Sequence, residues 1–223
     1  MTGNYEKLIH DNLDRLYKNL PKDLGLTLPA NRKQNTFFFE AFGQECRIRQ
    51  EGINLGGREE TGVLGVLISL YVLNVGPEPS VLQPLKAFKD FSGSMPYIGA
   101  FASHTEEILV PYVEKIEEEQ NHIIEYMQGK DASEIAGGDF SFFLCPLPKI
   151  TLCYIFYRAD EDFPASATCL FSNNAHNFMP LDALADVGEY TSRKIIQLLA
   201  QVRGFAPKGT GAEGLEPMDS KVH

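Results

Sequence analysis

Residues 157–171 read YRADEDFPASATCLF and set three consecutive carboxylates, Asp160, Glu161 and Asp162, between two apolar runs. In an extended chain successive side chains alternate, so Asp160 and Asp162 can share a face while Glu161 points away. Two adjacent carboxylates can hold a hard cation or share a proton. The same residues, followed by Pro164, describe an ordinary charged crossover between strands equally well. Phe163 favours the architectural reading, because burying a large apolar ring is worth about 1.5–3 kcal/mol. The expectation is therefore that Phe163 is buried and that Pro164 fixes the start of the next strand. Glu161 or Asp162 would then be aimed at an aromatic segment elsewhere, with Lys89 as partner.

That segment is residues 84–101, PLKAFKDFSGSMPYIGAF, which interleaves Phe88, Phe91, Tyr97 and Phe101 with Lys86, Lys89 and Asp90. A long connection of this composition either lines an apolar pocket with a few polar handles or pins itself to the core through its rings. Lys89, Phe91, Tyr97 and Phe101, with Glu161 and Asp162, are the candidate ligand-binding residues. Other chemistry is thin. Cys145, Cys153 and Cys169 can fall on neighbouring strands, but no CxxC pair exists and the spacing matches no cluster-binding run, so they read as buried structural thiols. No two of the five histidines stand at i,i+3 or i,i+4, which removes a two-histidine helical metal site. There is no Walker loop, GxSxG elbow, HExxH or dinucleotide fingerprint, so no residue is singled out as catalytic, no metal site is expected and no cofactor is implied.

The elements that must position these residues follow from periodicity. Leu8, Ile9, Leu13, Leu16, Tyr17 and Leu20 form one helical stripe that ends at Pro21. A three-stranded meander is predicted at 36–41, 44–50 and 52–55, with turns at Gly43 and Gly52. The apolar run 62–75 predicts a buried helix capped by Thr61, with the two glycines of GVLG allowing close packing. Ser103 and Glu106 have the spacing of a capping box opening a helix over 104–128, kinked or divided by Pro111. Glu117 to Glu119 beside Lys115 read as a solvated face of it. Strands are predicted at 139–145, alternating, at 150–157, apolar on both faces and therefore central, and at 166–171. A last helix covers 180–203, its acids Asp182, Asp186 and Glu189 early and its bases late, as the helix dipole favours, with Gly204 as C-cap. Strands cluster in two groups instead of alternating with helices. That pattern predicts a single α+β domain over 1–203, with a largely antiparallel sheet built from the meander and the late strands, covered by helices. Residues 204–223 would be a Gly/Pro-rich tail.

With 223 residues, 43% hydrophobic, the chain can build a substantial core. Its net charge of −10 opposes capture by nucleic acid or an anionic membrane, so neither is expected as a partner. The N-terminus lacks the pattern of a signal peptide, and the run 62–75 is short of the roughly 20 residues that span a bilayer. A cytoplasmic protein with reduced thiols is expected.

The order of LISLYVL, FKDFSGSMPYIGAF, the stretch 137–172 and FMPLDALADVGEY resembles the prokaryotic domain of unknown function 3786, over about residues 5–200. Gly138 and Asp139, the acidic pair Glu161–Asp162 before Phe163–Pro164, and Pro180 with Asp182 carry the likeness. Tyr157 and Ser172 depart from it where many members have Trp and Asp. The resemblance implies an occurrence in anaerobes, where some members are joined to a cysteine-rich iron–sulfur module of the kind found with corrinoid-dependent enzymes. This chain lacks that module, and the resemblance implies no activity. The leading expectation is a cytoplasmic accessory domain that binds a small molecule or a protein partner, linked to corrinoid or metal-dependent anaerobic metabolism. Two alternatives stand beside it: a small-molecule hydrolase or transferase using the acidic and aromatic loops, and a structural interaction module.

Overall fold

The computed structural model describes residues 2–201, and the expected tail and the Gly204 cap lie outside them. The chain runs α1 (Thr2–Lys18), α2 (Leu24–Thr27), β1 (Asn31–Lys33), β2 (Thr36–Ala41), β3 (Gln44–Arg49), β4 (Gly52–Leu55), β5 (Arg58–Glu59), α3 (Val63–Asn74) and β6 (Lys86–Ala87). It continues through α4 (Ile98–Phe101), α5 (Val113–Glu118), α6 (Gln120–Tyr126), β7 (Lys130–Asp131), α7 (Ser133–Ala136), β8 (Phe140–Leu147), β9 (Ile150–Tyr157), β10 (Ser166–Phe171) and α8 (Leu181–Gln201). The α+β class holds, with every strand pairing antiparallel. The two strand groups do not merge, however. They form separate five-stranded sheets, one the meander β1-β2-β3-β4-β5 and the other in the order β6-β10-β9-β8-β7. Periodicity fixes which face of a strand is buried but not which strand lies beside it. The sheets meet where the Phe42 N–H, at the β2–β3 turn, donates to the Pro146 carbonyl at 2.7 Å. Pro146 can sit in β8 because the register against β9 is irregular between Leu144 and Leu147.

In the second sheet β9 is central, as its apolar run predicts. β8 does not alternate: seven of its eight residues are buried, only Cys145 being half-exposed. The reason is a layer on each face. Phe140, Phe142, Leu144, Leu152, Tyr154 and Phe156 belong to the main core. Phe143, Cys153 and Ile155 turn the other way, under Leu82, Leu85 and Ala136 from the connection after α3 and from α7. Lys149 holds that connection down: its buried ammonium donates to the carbonyls of Gly76 at 2.8 Å and Glu78 at 2.9 Å.

α3 is the buried helix expected, packed on α1 with the Asn12 amide donating to the Ser69 hydroxyl at 3.0 Å. A Cβ at Gly65 would stand 2.6 Å from Ile9 Cδ1, so this residue lets the helices close. Thr61 does not cap α3. Gly62 holds the cap position, and its own N–H donates to Glu60 Oε1 at 2.8 Å. The expected helix over 104–128 is broken up, as Pro111 requires. The winding begins earlier, at Ile98, widens to a π turn over Ala102–Glu106, tightens to 3₁₀ over Glu107–Tyr112, and resumes as α5 and α6. Ser103 therefore lies inside the helical run and opens no capping box. Glu106 is drawn elsewhere: β6 pairs only with Leu170 and Phe171, and Glu106 Oε1 accepts the Cys169 N–H of β10 at 2.8 Å. No helix among the described residues is long and apolar enough to cross a membrane.

Candidate functional site

Three acids of α8, Asp182, Asp186 and Glu189, fall at i, i+4 and i+7 and so share one helix face. The winding from Ile98 to Glu106 crosses α8 at that level. The crossing is close because of Gly188, where a Cβ would sit 2.7 Å from the Phe101 ring and 3.1 Å from Thr105 Cγ2. It is pinned from beneath by buried hydroxyls. Ser192 Oγ donates to the Thr105 carbonyl at 2.7 Å, and the Tyr154 hydroxyl of β9 lies 2.9 Å from Ser192 Oγ.

The crossing encloses a small cavity of about 120 Å³, bounded by Tyr97, Phe101, His104 and Thr105 on one side and by Asp182, Asp186 and Glu189 on the other. His104 Nδ1 lies 3.2 Å from Glu189 Oε2, and the second oxygen of Glu189 takes Arg193 at 2.7 Å. Asp186 keeps solvent contact at the mouth. Even so, crowding by protein, with the charges of Glu189 and Asp182 adding and His104 opposing, pushes its carboxyl up to about 6. Thr105 is fully buried, and its hydroxyl has no hydrogen-bond partner. Buried side-chain hydroxyls without a partner are uncommon in folded proteins, so this one stands out in the cavity wall.

Behind this cavity the π turn sends Glu106 to the sheet. Burial raises its carboxyl, the Cys169 N–H opposes, Glu107 adds and Lys89 opposes. Tyr154 and Cys169, both buried beside it, are held far above their ordinary values, chiefly by burial, and stay neutral.

Of the residues singled out from the sequence, Tyr97 and Phe101 line this cavity. Phe91 does not; its ring is buried 5.7 Å from Phe171 and 5.0 Å from His176. Lys89 is exposed, its carbonyl accepting the Ser94 hydroxyl at 3.1 Å. Glu161 and Asp162 are exposed in the connection between β9 and β10. The register separates the two segments, because the acidic loop leaves β10 at Ser166 and the aromatic one joins it through β6 at Leu170 and Phe171. Four to five residues of strand, about 15 Å, lie between. Lys89 is accordingly no partner of the acidic loop. Arg158, the residue two before the loop, does not pair with it either: its Nε donates to Glu117 at 2.7 Å and its backbone N–H to Asp139 at 2.6 Å. Lys115 pairs with Glu118 and Glu119; of the acids expected on a solvated face, Glu118 is exposed while Glu117 and Glu119 are half-buried.

Phe163 is not buried: it is 70% exposed. The cause is local. Asp160 Oδ1 accepts the N–H groups of Asp162 at 2.9 Å and Phe163 at 2.7 Å, and the Asp160 N–H donates to the Phe163 carbonyl at 2.9 Å. This tight turn satisfies the backbone and leaves the ring at the rim of an open cleft of about 450 Å³ beside Asp139, Arg158 and Asp160. The four cysteines are free thiols; Cys153 and Cys169 sit on opposite faces of the second sheet and do not converge. No group of three or more His, Cys, Asp or Glu among the described residues is placed to hold a metal ion.

From the sequence, Asp186 and Glu189 stand out only as acids suited to a helix N-terminal half, Asp182 also as part of the family likeness, and His104 only as one of five dispersed histidines. Their i, i+4, i+7 spacing was the available signal. What the sequence could not supply was the helix that crosses them. A family model described as "Domain of unknown function (DUF3786)" matches residues 17–194. No curated protein and no solved structure matches the chain.

Proposed function

The chain belongs to the DUF3786 family, and within that fold we propose that it is a small-molecule-binding module whose α8 cavity receives the ammonium group of an amine. The observation that carries this reading is the convergence of Asp182, Asp186 and Glu189 on one small cavity with the unpartnered Thr105 hydroxyl in its wall. Carboxylates and a hydroxyl oxygen accept, an ammonium donates three times, and the Tyr97 ring offers a π face to a cation. At about 120 Å³ the cavity is well below the roughly 300–1,000 Å³ of sites that enclose whole ligands, so it takes a head group while the rest of the molecule lies outside. The net charge of −10 draws cations to the surface. The wider expectation, service to corrinoid or metal-dependent anaerobic metabolism in the cytoplasm, draws its support from the family resemblance and not from the cavity.

Titration calorimetry with methylammonium and tetramethylammonium chlorides tests the reading. Methylammonium should saturate and tetramethylammonium, bulky and without N–H donors, should not. Asp186→Asn and Glu189→Gln should each weaken methylammonium at least tenfold; absence of saturation with either cation defeats the proposal.

One observation favours a second reading, the small-molecule enzyme. A carboxyl raised to about 6 beside a histidine–carboxylate pair is a proton acceptor tuned close to neutrality. Turnover of a simple amine ester or amide, lost in Asp186→Asn, would move the assignment from binding to hydrolysis.

A further inference from the structure

On the opposite architecture, the first sheet, β3 carries a feature that the amine cavity does not use. Its alternation buries Cys46 and Ile48 and turns Arg47 and Arg49 together to the outer face. In a chain with 30 acids against 20 bases, two neighbouring guanidiniums would ordinarily find carboxylates. Among the described residues neither makes an ion pair or a hydrogen bond, and Arg47 Nε is buried without an acceptor. A guanidinium N–H that has given up water and gained nothing is costly unless something else meets it.

The surroundings are shaped for an acceptor. Asn54 stands directly opposite Arg47 across β3 and β4, and its side-chain amide makes no hydrogen bond among the described residues. Gly52 is opposite Arg49, and having no side chain it leaves open a cavity of about 300 Å³ above the pair. Glu51 and Glu59 line the same cavity, yet neither comes within ion-pair distance of the guanidiniums. The cavity thus gathers two guanidiniums and two carboxylates in one lining, with Glu59 directly opposite Asn54 across β4 and β5.

We propose that this face binds a small zwitterion, an α-amino acid or its like, with the carboxylate on Arg47 and Asn54 and the ammonium toward Glu51 and Glu59. Guanidinium matches carboxylate in a planar, two-pronged geometry. The two glutamates select against multiply charged anions such as phosphate, which the arginines alone would welcome. No bond is made or broken.

The Arg Nε–H groups give separate NMR signals, so the site can be watched directly in the intact chain. Glycine, sodium acetate and inorganic phosphate are titrated in turn at constant ionic strength. Glycine should shift the Arg47 Nε–H signal saturably, with acetate at least tenfold weaker and phosphate weaker than glycine. Arg47→Lys should abolish the saturable shift at the remaining Arg49 signal while the denaturation midpoint stays put, and Glu59→Gln should bring glycine down to the level of acetate. The proposal is overturned by a non-saturating glycine titration, by phosphate binding more tightly than glycine, or by a Glu59→Gln protein that still prefers glycine to acetate. If Arg47→Lys unfolds the protein, Glu59→Gln, on a two-residue edge strand, decides alone.

Discussion

Phe101 and Phe163 stand in comparable company in the sequence, each an aromatic in a connection with charges and a proline nearby, and they end at 5% and 70% exposure. Phe101 lies on a helical turn facing another helix. Its ring stacks on Phe88 at 4.5 Å and touches α8 at the one residue that offers no side chain to stop it. Phe163 lies in a turn between adjacent strands, where Asp160 meets the backbone donors locally and nothing crosses over to cover the ring. The ring's hydrophobic gain is the same in principle at both places. Only an opposing element can collect it, and a turn that is already hydrogen-bonded has no reason to bring one.

The comparison can be broken at either end. Phe101→Ala should cost about 3–5 kcal/mol in denaturant melts, as for other buried aromatics; a loss under about 1 kcal/mol would mean the crossing repacks and Phe101 is no anchor. Gly188→Ala forces a methyl against Phe101 and Thr105, and overpacking of this kind costs about 1–3 kcal/mol. It should also close the cavity to methylammonium, which sharpens the link between close packing and binding.

Asp186 sharpens it through pH. Its folded-state carboxyl is raised to about 6 from the ordinary 3.8, so between those values the folded protein holds a proton that the unfolded chain has released. Stability from this group is therefore present below about pH 4 and lost as pH rises through about 6. Asp186→Asn should melt higher than the parent at pH 7.5, with the gap narrowing at pH 4.5. A gap that widens toward acid would reverse the assignment. At the other end the effects should be small. Asp160→Ala removes the acceptor of two exposed N–H groups and should cost about 0.5–1 kcal/mol, and Phe163→Ala should stay within about 0.5 kcal/mol of the parent.

The contrast also marks how far the sequence was legible. Periodicity located β2, β3, β4, β9 and β10 to within a residue, because each buries one face or both and the alternation records it. It placed α3 as a core helix because that helix is apolar all round. It did not reveal that the meander and the late strands stay in separate sheets that share one core, since alternation records which face of a strand is buried and not which strand lies beside it. Tyr97 and Phe101 were within reach as aromatics in a long connection. His104 and Thr105 were not, because their position depends on a departure from regular winding that side-chain spacing does not announce. Glu106 shows the same limit: its offset from Ser103 fits a helix cap, but an unpaired strand N–H at Cys169 was the stronger claimant.

The π turn at Ala102–Glu106 has a consequence for chain length. Such a turn closes its hydrogen bonds over five residues where an α turn uses four, so it behaves as a one-residue insertion folded into a helix. Remove one residue and the winding returns to α. Everything on one side of the deletion then rotates by about 100° relative to the other. His104 can keep its place beside Glu189, or Glu106 can keep its hold on β10, but a shorter chain cannot do both. Point substitutions here would alter one contact at a time; a single-residue deletion would leave every side-chain type intact and still uncouple the cavity from the sheet.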